Sequence, residues 1–146
     1  MDVIIRSADE EDFGEVLSLM KEFSVFQKTP EKVTITLPQM ILDKDIFRCL
    51  VAETPDKKIV GFATYFFAYY SWSGKAIYLD DLYVKQDYQK NAIGKKLLET
   101  TIQFAKDAHC TKLRWQVSKW NENAIGFYKS IGAHIDETDI NCDLFL

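Results

Sequence analysis

The sequence predicts an α/β fold in which helices flank a mixed, mostly antiparallel sheet. Residues 49–53, 59–68 and 76–84 are rich in β-branched and aromatic side chains and are separated by short polar turns, which indicates an antiparallel meander of three strands. Strand and helix patterns then alternate, which predicts a β-α-β crossover. Apolar residues at helical spacing indicate further helices before and after the meander.

The N-terminal part of the chain is predicted to form one strand and one or two helices. Residues 2–6 have a short strand pattern, and Ser7 and Glu10 match the S-x-x-E capping box that begins a helix. Pro30 and Pro38 interrupt a later stretch, where we expect a short helix at residues 39–43. The first helix is predicted between the capping box and Pro30, where apolar residues recur at helical spacing. These residues are Phe13, Val16, Leu17, Met20 and Phe23.

The C-terminal part adds two helices and two strands to the prediction. Apolar spacing predicts helices at residues 93–107 and 122–131, the second of them ended by Gly132. Strands are expected at residues 112–117 and 139–146. Because no repeat, low-complexity segment or linker is evident, we expect a single domain over residues 1–146.

Composition and charge argue against several classes of function. The 146 residues carry a net charge of −4, which is unfavourable for nucleic-acid binding and suits a cationic substrate. The few histidines and cysteines are not clustered, so we expect no metal site. We also expect no signal peptide and no membrane span. Three cysteines without a C-x-x-C pair fit structural thiols in the cytoplasm better than a catalytic thiol.

The segment DYQKNAIGK at residues 87–95 leads from a predicted strand into a predicted helix. The first turn of a helix has unpaired N–H groups and a positive dipole end, and the small residues Ala92 and Gly94 would let a pyrophosphate approach them. Lys90 and Lys95 add positive charge nearby. The alternative is an ordinary strand-to-helix connection with solvated lysines.

Two further stretches contain candidate catalytic groups. Tyr128 lies on the predicted helix of WNENAIGFYKSIG, either as an aromatic at the core edge or as a proton donor. Asp80 and Asp81 lie within the predicted strand YLDDLYV, where alternation sends them to opposite faces. One interpretation is that both are surface or ion-paired acids. The other is that one of them accepts a proton during catalysis.

Together these stretches resemble the GNAT superfamily of N-acetyltransferases, whose coenzyme A loop has the pattern R/Q-x-x-G-x-G/A. This chain matches the pattern from Gln89 to Gly94, but it has Ala92 at the position where the middle glycine is usual. A more specific resemblance, to the diamine acetyltransferase branch with its spermidine/spermine and thialysine enzymes, covers nearly the whole chain. It is carried by Lys21-Glu22, CLVAE, IVGFATYF, WSGKAIYLDDLYV, DYQKNAIGKK and WNENAIGFYKSIGA.

The resemblance implies the GNAT acyl-CoA N-acyltransferase fold, acetyl-CoA as cosubstrate without a metal, and a homodimer. It implies that Tyr128 protonates the departing thiolate and that Asp80 takes the amine proton through water, with Asp81 beside it. In the branch, Asp80 is a Glu, one methylene longer. The residues implied to bind the coenzyme are Leu82, Tyr83, Val84, Gln89, Lys90, Asn91, Ala92, Ile93, Gly94, Lys95, Asn121 and Tyr128.

The acceptor is expected to be the primary amine of a small molecule. Polyamine-specific relatives have an Asp where this chain has Tyr70, close to Trp72, so we expect thialysine or lysine-like amino acids to be better acceptors than spermine. The alternative for Tyr70 is simple packing on Trp72. The alternatives for the whole protein are acetylation of a protein N-terminus or lysine, and a coenzyme A-binding module without catalysis.

Overall fold

The computed structural model describes residues 2–146, and the chain divides into two compact units, Met1–Trp115 and Gln116–Leu146. The first unit contains five strands, β1 (Ile4–Ser7), β2 (Arg48–Glu53), β3 (Ile59–Tyr70), β4 (Gly74–Val84) and β5 (Lys112–Trp115). Its helices are α1 (Phe13–Phe26), α2 (Leu37–Leu42) and α3 (Ile93–Asp107), with 3-10 turns at Glu10–Asp12, Pro30–Lys32 and Gln86–Asn91. The second unit contains α4 (Glu122–Ser130).

The five strands form one sheet in the order β1-β2-β3-β4-β5. The first four strands pair antiparallel, and β5 pairs parallel to β4 after the crossover through α3. This architecture confirms the predicted mixed, mostly antiparallel sheet with flanking helices. Within the described residues, no helix is long and apolar enough to cross a membrane.

Helices cover both faces of the sheet. On one face, α1 and α2 bury an apolar cluster that includes Val16, Val51 and Phe62. On the other face, α3 packs on the sheet, and the space beside Gly61 of β3 is tight. An added Cβ there would lie 3.1 Å from the Tyr83 carbonyl oxygen and 3.3 Å from a methyl carbon of Leu97.

The first helix begins later than the sequence predicts. Ser7 ends β1 rather than capping a helix, and the capping contact is instead the Asp9 N–H, which donates to the Asp12 carboxylate at 2.7 Å. Asp12 also accepts from Arg6, which reaches Glu53 on the neighbouring strand at 2.9 Å. The predicted capping box at Ser7 is therefore wrong, because strand pairing extends through that residue.

Two further expectations need correction. The helix expected at residues 39–43 begins two residues earlier, at Leu37, because Thr36 caps it and Pro38 is tolerated in a first helical turn. The strand predicted at residues 139–146 is not formed, since this segment makes no strand pairing in the described part of the chain. Ile140 and Phe145 are consequently 87% and 91% exposed.

Candidate active site

A β-bulge in β4 brings two carboxylates together. Thr64 pairs with Asp81 and Tyr65 pairs with Leu79, which leaves Asp80 as an extra residue on β4. The Asp81 N–H donates to the Thr64 hydroxyl at 3.2 Å. The prediction that Asp80 and Asp81 face opposite sides is therefore wrong, because the bulge interrupts the alternation and both residues line the same cavity.

The cavity beside the bulge has a volume of about 820 Å³. Its walls come from α1, residues 29–35 and the adjoining parts of β2 and β3, and they are largely apolar. The charged lining residues are the carboxylates Asp80 and Asp81 and the cations Lys32 and Arg48, so the cavity suits a small molecule with an apolar chain and charged ends, such as an amine. Apolar lining residues include Met20, Phe23, Val33, Ile35, Phe47 and Phe66.

The two carboxylates are in different electrostatic environments. Asp81 is partly buried, and loss of solvation together with the nearby charge of Asp80 raises its pKa to about 6. Loss of solvation also raises the pKa of Asp80, although part of that residue is exposed. Asp81 thus changes its protonation state close to neutral pH, as a general base requires.

β4 continues beyond its pairing with β5. The parallel pairing ends where Leu79 faces Trp115, and Leu82, Tyr83 and Val84 lie past that point. The Tyr83 ring is buried against Phe23, with ring centroids 5.0 Å apart, so this side chain belongs to the core. In the described residues, the edge of β4 at Leu82–Val84 that faces away from β3 has no paired strand, so its backbone groups could bind a ligand.

The predicted coenzyme loop is a 3-10 turn, Gln86–Asn91, followed directly by α3. The Gln89 amide donates to the Val84 carbonyl at 2.9 Å, so this side chain braces the loop against β4. Ala92 has φ 57° and ψ 22°, the left-handed conformation that glycine adopts more easily. The glycine of the GNAT loop pattern would adopt this backbone geometry with less strain than Ala92.

The first turn of α3 combines small residues, lysines and the start of a long helix. Gly94 lies against β4, since an added Cβ would contact Leu82 and Val84 at 3.6 and 3.7 Å. Lys90 and Lys95 are exposed near the helix start, while the Asn91 amide donates to the Tyr88 carbonyl at 3.3 Å. The unpaired amides and the positive end of this 15-residue helix are a suitable cradle for an anion.

The second unit contains the remaining two predicted residues. The Asn121 side chain accepts from the Ala124 N–H at 3.2 Å and so caps α4. Tyr128 is partly buried on the same helix, and burial raises its pKa above the usual value. Tyr128 therefore stays protonated at neutral pH, which is the state that a proton donor requires.

Tyr70 has neighbours that sequence reasoning missed. Lys112 Nζ and Arg114 Cζ lie 4.3 and 4.7 Å from the centre of its ring. Trp72 is 100% exposed, so Tyr70 does not pack on Trp72 as the alternative interpretation of Tyr70 proposed. The two cations could not be assigned from sequence, because their proximity to Tyr70 depends on the pairing of β5 with β4.

Comparison with known proteins identifies close relatives. The sequence model of the acetyltransferase (GNAT) family matches residues 13–133. Thialysine N-epsilon-acetyltransferase from Bos taurus is 36% identical over 142 residues, which cover 90% of this chain and 84% of that protein. Spermidine/spermine N(1)-acetyltransferase-like protein 1 from Homo sapiens is 37% identical over 88% of this chain, but over only 20% of its own length.

A solved structure supports the same fold. An aminoglycoside acetyltransferase from an uncultured soil metagenomic sample superposes with a TM-score of 0.76 and 26% sequence identity. The alignment covers 99% of this chain and 96% of that one. Among the residues described here, no group of three or more His, Cys, Asp or Glu side chains is arranged to hold a metal ion.

Proposed function

Because this chain belongs to the GNAT family of acetyltransferases, we propose that it transfers the acetyl group of acetyl-CoA to the primary amine of a small molecule. The observation that carries this proposal is the bulge, which directs Asp80 and Asp81 to one cavity beside the end of the β4–β5 pairing. A proton acceptor and a backbone binding edge are thus neighbours on one strand.

The carboxylates would remove the proton that makes an amine unreactive. A primary alkyl amine has a pKa of ~10.4, so deprotonating it at pH 7 costs roughly 4.6 kcal/mol. We assign this proton to Asp81, which would accept it directly or through a water molecule beside Asp80. The raised pKa of Asp81, about 6, makes it a stronger base than an ordinary aspartate. The free amine then attacks the thioester carbon directly.

The remaining roles concern the coenzyme. The backbone of Leu82–Val84 would hold the pantetheine and acetyl portion, and the start of α3 would hold the pyrophosphate. Acetyl-CoA supplies the thioester, and its thiol leaves as the amide forms. We propose that Tyr128 donates the proton to this thiolate, since its raised pKa keeps the hydroxyl protonated.

We further propose that residues 1–146 act as one catalytic domain, since the family match spans both compact units. A cytoplasmic homodimer without nucleic-acid or membrane partners is the assembly that the branch resemblance favours. Exposed apolar side chains near the C-terminus, including Ile140 and Phe145, are compatible with such an interface. Sedimentation velocity over a range of concentrations would test the dimer.

The test of the proposed activity is thiol release from acetyl-CoA across a panel of small amines, with the products identified by mass spectrometry. We expect an acetylated primary amine for at least one diamine or lysine-like amino acid. Tight acetyl-CoA binding without turnover would instead support a coenzyme A-binding module. Acetylation of peptides with no turnover of small amines would support a protein acetyltransferase.

A further inference from the structure

We propose that the cavity beside the bulge also accepts arylalkylamines, molecules in which a short alkyl chain joins an aromatic ring to a primary amine. This inference rests on the proposed acetyl transfer and adds a class of acceptor to it. The amine lies at Asp80 and Asp81, and the ring lies among the phenylalanines of the cavity wall.

Phenylalanines in the cavity wall are held in place by aromatic rings outside it. Phe23 stacks on Tyr83 with ring centroids 5.0 Å apart, and Phe47 packs edge-on against Phe13 at 5.1 Å. Tyr83 and Phe13 are buried and do not line the cavity. Because these wall residues are already ordered, an aromatic ligand that contacts them loses little further side-chain entropy.

Phe66 provides an accessible ring at the same cavity. Its ring stacks on Tyr78 with centroids 5.0 Å apart and planes 14° apart, and Tyr78 does not line the cavity. The Phe66 side chain nevertheless remains 45% exposed, so it can also contact a ligand. Aromatic rings prefer offset-stacked or edge-to-face contacts with one another, and such contacts add to the effect of apolar burial.

The strand register places Phe66 close to the carboxylates. Asp81 pairs with Thr64 of β3, and Phe66 follows Thr64 by two residues, which span about 7 Å along the strand. Phe47 immediately precedes the first residue pair of the β2–β3 register, so its backbone lies beside that of Phe66. This short separation between carboxylates and rings fits an amine joined to its ring by a short alkyl chain.

The charges of the cavity favour a neutral ring over a second ammonium. Asp80 and Asp81 attract the reacting amine, while the cations Lys32 and Arg48 also line the cavity. In the described part of the chain, none of the salt bridges involves either cation. Lys32 and Arg48 therefore repel the second ammonium of a diamine, whereas a cation can lie favourably on the face of an aromatic ring.

The experiment compares phenethylamine with cyclohexylethylamine, its saturated counterpart, and with the diamine putrescine. We expect wild-type kcat/KM to be about twofold to tenfold higher for phenethylamine than for cyclohexylethylamine, the range of an aromatic stacking contact. Putrescine should be a poorer acceptor than phenethylamine. Phe66→Leu, which keeps an apolar side chain, should abolish the preference for the aromatic amine and leave putrescine unchanged, whereas Phe66→Tyr should retain the preference.

The matched control is Tyr69→Leu, which removes an exposed aromatic ring from the same strand but outside the cavity lining. This variant should leave kcat/KM for all three amines unchanged. Equal wild-type kcat/KM for phenethylamine and cyclohexylethylamine, or a preference that survives in Phe66→Leu, would overturn the proposal.

The outcomes also separate this proposal from the proposed function. A wild type that acetylates putrescine but not phenethylamine would overturn the arylalkylamine proposal and leave acetyl transfer to small amines standing. If the wild type acetylates no amine, the proposed function fails, and calorimetry of phenethylamine binding still decides the role of the cavity. Weaker binding by Phe66→Leu than by wild type then supports an aromatic site, and equal binding overturns it.

Discussion

Replacing Asp81 by Asn tests the electrostatics of the bulge. The carboxyl pKa is raised from 3.8 to about 6, and at 1.36 kcal/mol per unit this shift corresponds to about 3 kcal/mol. Because the folded-state pKa lies above the unfolded value, the protonated carboxyl stabilises the fold fully below pH ~4, and this contribution is lost as pH rises through about 6. Asn keeps the shape and cannot ionise.

Asp81→Asn should therefore be more stable than wild type by up to about 3 kcal/mol at pH 8 and nearly equal to it at pH 4. Urea unfolding at several pH values would measure the difference. Asp45→Asn is the matched control, since it removes an exposed carboxylate that does not line the cavity. A constant difference between Asp81→Asn and wild type across this range would refute the argument that burial and Asp80 raise this pKa.

The same substitution separates stability from activity. If Asp81 accepts the amine proton, the stabilised variant should lose about a hundredfold or more in kcat, within the usual range for general base catalysis. Wild-type kcat/KM should rise with pH through about 6 as Asp81 ionises. Full activity of Asp81→Asn at pH 7, with the chemical step rate-limiting, would remove Asp81 from the mechanism.

Three further substitutions test other parts of the structure. Ala92→Gly should raise the free energy of unfolding by about 1 kcal/mol, because it relieves a left-handed residue, and unchanged urea stability would contradict the observed φ of 57°. Gly61→Ala should lower stability by about 1–3 kcal/mol, since the added Cβ meets the Tyr83 carbonyl at 3.1 Å; an unchanged melting temperature would refute this close packing. Tyr128→Phe should reduce kcat about tenfold to a thousandfold with intact circular dichroism, whereas wild-type kcat under rate-limiting chemistry would leave Tyr128 a structural aromatic.

The sequence determined the features that depend on local pattern. Alternation and turn residues located the β2–β3–β4 meander, and helical spacing located α1, α3 and α4 within a few residues. The ordered motifs also identified the family, because several matches in the right order are far more specific than any one of them. The strand predicted at residues 139–146 is not formed, because a local strand pattern does not by itself produce a paired strand.

Only the tertiary structure decided how the candidate site is arranged. One unpaired residue in β4 turned Asp80 and Asp81 to the same side, and such a bulge depends on the register of β3, including the contact from Thr64. The pKa of Asp81 follows from burial and from that new neighbour. Lys112 and Arg114 likewise meet Tyr70 only through the β4–β5 pairing. Residues distant in sequence interact through these strand pairings, and single-sequence patterns carry no information about their register.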